Sequence, residues 1–265
     1  FATKDVDVLI HAAAMKHVLI AEYNPFEVVK TNIMGAQNVI DACLKNNVKK
    51  VVALSTDKAS SPVNIYGASK LTSDKLFIAA NNYAGKNKNK FSVVRYGNVL
   101  GSNGSILPLF FKSSKKKLIT ITDRRMTRFN ITLKESVDLV MKVLNFMVGG
   151  EIFVPKIPSF KVVDLAQAIS ADSKIKIIGI KPGEKLHEEL ISGPESQNAI
   201  EYKDYFVIAS NSELFYWNKK NYIKKFGGKA CSDNFSYNSD NNKDKLTVSL
   251  LKKIVKTQIK NLNLK

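Results

Sequence analysis

The sequence predicts an α/β fold with a doubly wound parallel sheet, and three observations support that prediction. Short apolar runs alternate with amphipathic stretches along the first half of the chain. The runs are almost continuously apolar, which is typical of parallel strands because both of their faces are buried. The stretches between them are long enough for the helical crossovers that parallel strands require. The alternation ends in the second half, where we expect a smaller region of different build.

The predicted elements follow in chain order. Strands are predicted at 5–11, 51–55, 91–96, 151–155 and 174–180. Asn24 and Pro25 predict the start of a helix, because proline suits the first helical position. Further helices are predicted at 66–83, 131–147, 163–169 and 246–259. The stretch 232–245 is rich in Asn and Asp and is predicted to be a loop.

Composition excludes several classes of protein. The chain has 265 residues, of which 45% are hydrophobic and 24% charged, so a mainly disordered chain is not expected. No stretch reaches the roughly 18–20 uncharged apolar residues of a membrane helix, and we expect no membrane partner. Its two cysteines, Cys43 and Cys231, are too few for a disulfide framework, so a cytoplasmic location is expected.

The formal net charge of +18 raises the question of nucleic acid. Arginine, on which nucleic-acid readers usually rely, occurs only at 95, 124, 125 and 128. Half of the excess charge lies in residues 216–265, which contain 12 Lys and 3 Asp. We therefore expect a solvated, Lys-rich surface and no nucleic-acid partner, with an acidic partner or a membrane surface as the alternative interpretation of the charge.

One group of side chains suggests chemistry. Tyr66 and Lys70 share a face of the helix predicted at 66–83, and a nearby positive charge can make a phenol a useful base. The preceding strand ends in Thr56, Asp57 and Lys58, and chemistry collects beyond the carboxyl ends of parallel strands. Taken singly, each residue also has a structural interpretation as a turn residue, a core side chain or a solvated charge.

Several motifs occur in an order that is typical of one family. They are His11-Ala12-Ala13-Ala14, Ser55-Thr56, Tyr66-x-x-x-Lys70 and Arg95-Tyr96-Gly97-Asn98-Val99. This order resembles that of the extended short-chain dehydrogenase/reductases that act on nucleotide sugars. The stretches 15–17, 20–25, 54–59, 92–99, 126–129, 150–158 and 182–188 more narrowly resemble the soluble inverting UDP-N-acetylglucosamine 4,6-dehydratases of pseudaminic acid synthesis.

The resemblance implies a Rossmann-like sheet and a dehydration with no net redox change. Tyr66 would take the proton of the 4-hydroxyl as hydride leaves C4, while Thr56 holds the oxygen and Lys70 supports the phenolate. Lys58 would remove the C5 proton and Asp57 would protonate the departing 6-hydroxyl, a division of roles that is a hypothesis. Hydride then returns to C6, and reprotonation inverts C5.

The resemblance also implies the binding residues. The cofactor is expected to be NADP, with NAD as the alternative, and to contact Ala12, Ala13, Tyr66, Lys70 and Tyr96. The UDP-sugar is expected to contact Lys16, His17, Asn98, Arg128 and Glu184. A guanidinium fork such as that of Arg128 suits a diphosphate. No metal site is expected.

The domain boundaries follow from the same comparison. Residues 1–105 are predicted to be the C-terminal part of a dinucleotide-binding domain, with 131–156 packed on it. Residues 106–265 are predicted to be mainly a substrate-binding region and a basic tail. The family's Gly-rich fingerprint does not precede Asp5, so the first strands of the sheet are expected to be missing. We expect the chain as printed to bind no dinucleotide and to be inactive, unlike its full-length parent.

Other functions stay open at this point. The nearest is a 4-epimerase or a retaining dehydratase of the same superfamily, although epimerases usually lack the Asp57-Lys58 pair. A truncated, inactive remnant is another, and a non-catalytic binder of acidic ligands depends only on the net charge. The resemblance further implies a homo-oligomer that contributes to polysaccharide biosynthesis and flagellin glycosylation.

Overall fold

The computed structural model describes residues 1–84, 89–102, 104–210 and 218–261. In these residues the strands are β1 (Val8–His11), β2 (Lys50–Thr56), β3 (Lys90–Tyr96), β4 (Asn98–Val99), β5 (Leu118–Ile121), β6 (Thr127–Ile131), β7 (Ile152–Pro155), β8 (Ser159–Lys161), β9 (Lys174–Ile177), β10 (Glu189–Ile191), β11 (Ala199–Glu201), β12 (Tyr205–Ile208), β13 (Lys229–Ala230) and β14 (Tyr237–Asn238). The helices are α1 (Val18–Tyr23), α2 (Pro25–Val28), α3 (Gly35–Lys45), α4 (Ile65–Tyr83), α5 (Ile106–Ser114), α6 (Leu133–Phe146), α7 (Val162–Ile169), α8 (Gly193–Ser196), α9 (Lys219–Phe226) and α10 (Val248–Asn261). A π-helical segment, Val29–Met34, joins α2 to α3, and a 3₁₀ turn, Asp57–Ala59, follows β2.

Two compact units make up the chain, and unit 1 is built on one sheet. Unit 1 comprises residues 1–96, 138–156 and 189–236. Its described strands run in the order β1-β2-β3-β7-β12-β11-β13. The first four are parallel, which confirms the predicted parallel sheet, and the last three continue the sheet with antiparallel pairings. The sequence analysis did not predict that antiparallel extension.

Helices pack on both faces of this sheet. Neighbouring residues of a strand point to opposite faces. Val52 of β2 belongs to one core cluster with Val143 of α6, so α6 packs on one face. Ala53 points to the other face with its register partner His11, whose ring centroid lies 5.3 Å from that of Phe77 on α4. The predicted doubly wound arrangement is therefore confirmed.

The chain enters unit 1 three times, whereas the predicted boundaries were nearly continuous. The range 106–265 was expected to lie mainly in a substrate-binding region, but 189–236 belongs to unit 1. The reason is that β12 pairs with β7, and β11 and β13 extend the sheet from there. Of the segment 131–156, only the part from residue 138 lies in unit 1. The functional roles given to the two parts stay predictions.

Unit 2 has its own core. It comprises residues 97–137, 157–188 and 237–265. Its described strands form the sheets β4-β6-β8 and β5-β9. Apolar side chains of α5, α7 and α10 meet in one cluster, to which Leu107, Leu165 and Leu251 contribute. Unit 2 therefore folds around contacts that the sequence pattern alone did not reveal.

Two predictions about the C-terminal part meet different outcomes. The helix predicted at 246–259 is confirmed as α10. The loop predicted at 232–245 was wrong at one point, because it contains β14. Tyr237 in β14 is buried, and its hydroxyl donates to the Ile157 carbonyl and accepts from the Ile157 N–H, each at 2.9 Å. A buried aromatic anchor thus orders a stretch whose composition favours a loop.

The helix predicted from Pro25 is interrupted by the π-helical segment. Apolar residues at helical spacing, with Val29 and Ile33 among them, predict that these two side chains face the core. The buried residues at that end are instead Val28 and Asn32. A π turn holds one extra residue and therefore shifts the buried face by one position. The shift turns the Asn32 side chain into the interior.

Several absences concern the described residues only. None of their helices combines the length and the apolar character needed to cross a membrane. No three of their His, Cys, Asp or Glu side chains are grouped so that they could hold a metal ion. Both cysteines are free thiols, and burial raises the pKa of the Cys43 thiol to about 11.

Helix α4 lies against the 3₁₀ turn after β2 because residue 67 has no side chain. A Cβ at Gly67 would overlap the carbonyl oxygen of Lys58 and crowd Pro62. The Gly67 N–H also donates to Oδ1 of the N-cap residue Asn64 at 2.7 Å. These two constraints fix the start of α4, which carries Tyr66, beside the turn.

We expect Gly67→Ala to destabilise the fold, because the added methyl group must push α4 away from the turn. Overpacking of this kind lowers the free energy of unfolding by about 1–3 kcal/mol. Gly35→Ala in α3 is the matched control, since its Cβ would meet only the Lys30 carbonyl oxygen at 3.6 Å. That control should gain about 0.5–1 kcal/mol from helix propensity. Urea unfolding measures both, and a Gly67→Ala protein as stable as the parent contradicts the close packing.

Candidate active site

Five predicted catalytic residues lie around the carboxyl end of β2 in unit 1. Thr56 is the last residue of β2, and Asp57 and Lys58 begin the 3₁₀ turn. Tyr66 and Lys70 lie in the first turns of α4, which the Gly67 contact holds against that turn. The fold thus brings a hydroxyl, a carboxyl, a phenol and two amines to one place. The catalytic roles of these groups stay predictions.

Hydrogen bonds link four of these side chains into one chain. Thr56 Oγ1 donates to Asp57 Oδ1 at 2.9 Å, and Lys58 Nζ donates to the same oxygen at 3.0 Å. The Thr56 hydroxyl is also hydrogen-bonded to the Tyr66 phenol. Asp57 is fully buried, whereas 22% of the Lys58 side chain is exposed. Phenol, hydroxyl, carboxylate and ammonium therefore form a connected path for protons that reaches solvent at Lys58.

The environment of Tyr66 acts on its phenol in both directions. Burial raises the pKa of Tyr66, and this is the largest effect. The positive charge of Lys58 lowers that pKa, as does the hydrogen bond with Thr56. Lys58 is the cation that lowers this pKa most, whereas the stabilising charge predicted from the sequence is that of Lys70, a role that stays a prediction. Lys58 and Thr56 thus oppose the effect of burial on the phenol, and the role of Tyr66 as a base stays a prediction.

Lys70 lies deeper than Lys58 and is held by the sheet. Its Nζ donates to the carbonyl oxygen of Leu54 in β2 at 2.7 Å. Burial lowers the pKa of Lys70, and the charge of Asp74, one helical turn further on, raises it. The neighbouring His11 has a lowered pKa because of its burial and the Lys70 charge. Lys70 is therefore a fixed group whose protonation depends on its buried neighbours.

The segment after β1 and the end of β3 carry the remaining predicted contacts of unit 1. The side chains of Ala12 and Ala13 are small and exposed, and Lys16 and His17 are exposed as well. Tyr96 ends β3 and is half-buried, and burial raises its pKa. The carboxyl ends of β1, β2 and β3 share one edge of the parallel sheet. All five residues are therefore accessible to a ligand at that edge or close to it.

Asn32, which the sequence analysis missed, fixes the segment after β1. The Met15 N–H donates to Asn32 Oδ1 at 2.8 Å, and Asn32 Nδ2 donates to the Met15 carbonyl at 3.0 Å. Asn32 Nδ2 also donates to Ser69 Oγ at 2.9 Å, and Ser69 Oγ donates to the Tyr66 carbonyl at 2.8 Å. A single buried amide thus ties this segment to α4. Asn32 lies one position before Ile33, which the helical pattern places on the apolar face. Its burial could be predicted only by a reader who already knew of the π turn.

Unit 2 carries the other three predicted residues. Asn98 in β4 and Glu184 are half-buried. Arg128 in β6 donates to the Leu186 carbonyl at 3.1 Å, and its Nε lies 3.6 Å from Glu188 Oε1. Arg128 therefore holds the segment around residue 186 within unit 2. Its contact with a diphosphate stays a prediction.

A buried group of charges in unit 1 was also missed by the sequence analysis. Arg95 of β3 is fully buried and pairs with Asp74 at 3.4 Å and with Glu195 at 2.9 Å. Asp74 follows Lys70 by four residues, so a shared helix face was a usable signal. Glu195 comes 100 residues after its partner in the chain. No local pattern predicts a pairing over that separation.

Comparison with known proteins places the chain among enzymes of sugar metabolism. A UDP-N-acetylglucosamine 4,6-dehydratase (inverting) of Campylobacter jejuni serotype O:2 is 55% identical over 245 residues, covering 91% of this chain and 73% of that protein. A UDP-glucose 4-epimerase of Rickettsia bellii is 41% identical over 249 residues, covering 91% of this chain and 72% of that protein. The resemblance inferred from the sequence motifs is confirmed by the first of these.

The structural and family comparisons give further matches. The X-ray structure of Pen from Bacillus thuringiensis matches with a TM-score of 0.86 at 38% identity, covering 97% of this chain and 77% of that chain. A family model described as polysaccharide biosynthesis protein matches residues 1–210. That match includes the four parallel strands and the hydrogen-bond chain from Tyr66 to Lys58. The chain therefore belongs to the polysaccharide biosynthesis protein family.

Proposed function

We propose that the protein is a nucleotide-sugar dehydratase that converts UDP-N-acetylglucosamine to a 4-keto-6-deoxy sugar with inversion at C5. The observation that carries the proposal is the Asp57–Lys58 pair, joined at 3.0 Å and hydrogen-bonded through Thr56 to the Tyr66 phenol. A dehydration across C5–C6 needs a base, an acid and a group that deprotonates the 4-hydroxyl. The 55% identity to an inverting dehydratase supports the same chemistry.

The first step requires a base at the 4-hydroxyl. Tyr66 takes this proton as a phenolate, which the charge of Lys58 stabilises. Thr56 Oγ1 stabilises the phenolate as well once its single proton turns from Asp57 Oδ1 to the Tyr66 oxygen. Thr56 is proposed to hold the 4-oxygen in place with its hydroxyl. A bound nicotinamide supplies the temporary acceptance of hydride from C4 and its return to C6. The 4-ketone that results makes the proton at C5 acidic.

The second step requires a neutral amine and a neutral carboxyl. Lys58 and Asp57 share a hydrogen bond of 3.0 Å, and movement of one proton along it converts the ion pair into this neutral pair. Burial of Asp57 favours the neutral pair, because it penalises a charged group. Lys58 then removes the C5 proton, and Asp57 protonates the departing 6-hydroxyl. The partial exposure of Lys58 lets it exchange protons with solvent.

The residues after β1 fit a nicotinamide dinucleotide at the sheet edge. Ala12 and Ala13 are exposed and small, so a flat ring or a diphosphate can approach their backbone. Tyr66, Lys70 and Tyr96 offer hydroxyl and ammonium groups for the ribose. We propose NADP as the cofactor, with NAD as the alternative. Lys16, His17, Asn98, Arg128 and Glu184 are the proposed contacts of the UDP-sugar.

A second candidate function has an observation of its own. The relative from Rickettsia bellii carries the name UDP-glucose 4-epimerase and is 41% identical. A 4-epimerase needs Tyr66 and the cofactor but has no use for an acid and a base at C5 and C6. A retaining dehydratase uses both and differs only in the face of reprotonation at C5. Proton NMR of the product separates the three, since only the dehydratases give a 6-methyl group and C5 stereochemistry distinguishes those two.

The wider setting is also proposed. We propose a cytoplasmic enzyme that acts on a UDP-sugar and forms a homo-oligomer, with no nucleic-acid or membrane partner. The product class suits surface polysaccharide synthesis, and the motif resemblance favours pseudaminic acid and flagellin glycosylation. Sizing of the purified protein and analysis of cell-surface sugars in a deletion strain test these statements.

We expect Lys58→Ala to lose at least 100-fold in the rate at which solvent deuterium enters C5 of UDP-N-acetylglucosamine, because general-base catalysis typically contributes 10²–10⁴-fold. Mass spectrometry of an active preparation in D₂O measures that rate. Lys75→Ala is the matched control, since it removes an exposed lysine from α4 and should keep the parent rate. Deuterium entry at the normal rate in Lys58→Ala would remove Lys58 as the base.

The choice of NADP predicts tighter binding of NADPH than of NADH. Fluorescence titration of the full-length parent protein with each reduced cofactor measures the two dissociation constants. Lys70→Ala should weaken the binding of both, because it removes a donor proposed to contact the ribose. Tighter binding of NADH by the parent protein contradicts the choice of NADP.

A further inference from the structure

A buried network of charges lies directly behind the candidate catalytic residues of unit 1. Its centre is Arg95, which is fully buried. One of its terminal nitrogens donates to Glu195 Oε1 at 2.9 Å, to Glu195 Oε2 at 3.0 Å and to the Leu190 carbonyl at 3.2 Å. The other donates to Asp74 Oδ2 at 3.4 Å. A buried ion pair is costly to form, so its retention calls for a reason beyond stability.

Asp74 connects this network to the candidate active site. It is 1% exposed and lies four residues after Lys70 on α4, so the two side chains share one face of the helix. Ser55 Oγ, at the end of β2, donates to Asp74 Oδ2 at 2.7 Å. The carboxylate is thus held from β2 by Ser55 and from β3 by Arg95. It has little freedom to move away from Lys70.

The buried network and Lys70 together contain two cations and two carboxylates, and their charges balance only if Asp74 is assigned to Lys70. Arg95 already donates hydrogen bonds to both carboxylate oxygens of Glu195. Lys70 is 4% exposed, and its described direct partner is the neutral carbonyl of Leu54. An ammonium in that position needs a nearby anion, because burial without one favours its neutral form. Asp74 is the carboxylate whose charge acts on it.

We propose that Asp74 is a positioning residue for Lys70: its buried carboxylate, held by Ser55 and Arg95, keeps the Lys70 ammonium charged and fixed on the Leu54 carbonyl. The charges of Asp74 and Lys70 act on each other's pKa in the direction that this arrangement requires, against the larger effect of burial. Burial lowers the pKa of Lys70 and the charge of Asp74 raises it. Burial raises the pKa of Asp74, and the charges of Arg95 and Lys70 lower it. The significance of a charged Lys70 for cofactor binding rests on the proposed function.

The elements packed around Lys70 carry other titratable groups, which differ in their charge and exposure. His11 on β1 has a lowered pKa, which favours its neutral form. Asp57 and Lys58 form an ion pair of their own in the turn after β2. Tyr66 on α4 is a neutral phenol with a raised pKa. The charged residues of α1, α2, the π-helical segment and α3 are exposed; they are Glu22, Glu27, Lys30, Asp41 and Lys45. Lys50 at the opposite end of β2 binds the Leu144 carbonyl.

The test follows the titration of Lys70 itself by ¹³C NMR of protein labelled at lysine Cε, with the resonance assigned from its loss in Lys70→Arg. Asp74→Asn keeps the size of the side chain and removes its charge. The Lys70 midpoint should fall by about one pH unit or more, the effect of losing an opposite charge at short range. Asp74→Glu restores the charge and should restore the midpoint.

Glu195→Gln is the matched control, because it removes the other carboxylate from Arg95 without removing the charge that acts on Lys70. It should leave the Lys70 midpoint at the parent value even where it lowers stability. A merely structural role for Asp74 predicts no change of midpoint in any folded variant. An unchanged Lys70 midpoint in Asp74→Asn therefore overturns the proposal.

Lys70→Met provides a second route in case Asp74→Asn does not fold. Coupling between two sites is reciprocal, so loss of the Lys70 charge should raise the midpoint of the Asp74 carboxyl carbon. An unchanged Asp74 midpoint overturns the proposal. None of these titrations requires turnover, so a parent protein that does not dehydrate UDP-N-acetylglucosamine contradicts the proposed function alone. In an active protein, Asp74→Asn should also shift the pH profile of kcat/KM, and Glu195→Gln should not.

Discussion

The close approach of α4 to the turn after β2 is the constraint on which the candidate active site depends. Gly67 permits it, because any side chain there would overlap the Lys58 carbonyl oxygen. The approach places the Tyr66 phenol within a hydrogen bond of Thr56, and so within the chain that reaches Asp57 and Lys58. A helix displaced by even an ångström would break that chain, since hydrogen bonds weaken steeply with distance and angle.

Burial then determines what the assembled groups can do. It raises the pKa of Tyr66 and lowers that of Lys70, so neither group has its solution properties. Each shift is opposed by a specific neighbour, Lys58 for the phenol and Asp74 for the amine. The protonation of each group therefore depends on its neighbours as well as on burial. Loss of a neighbour changes the chemistry even where the fold survives.

Much of this arrangement was accessible from the sequence, for identifiable reasons. The strands β1, β2, β3 and β7 are apolar runs, and their parallel pairing followed from the helices between them. Tyr66 and Lys70 share a face by simple helical spacing, and Thr56, Asp57 and Lys58 follow a strand. The antiparallel strands β11 and β13 were missed, because two or three residues carry too short a pattern. The strand β12 was missed although Tyr205–Ile208 is an apolar run.

The sequence by itself determined the fold class, the family and the catalytic candidates, because these depend on local periodicity and on motifs with fixed spacing. Only the tertiary structure decided which cation acts on Tyr66, how Asn32 holds Met15, and where Arg95 finds its partners. Those outcomes depend on a π turn that shifts one helix face, on the absence of one Cβ, and on a pairing with Glu195 across 100 residues. Contacts of that kind arise from tertiary packing, and no short-range sequence pattern predicts them.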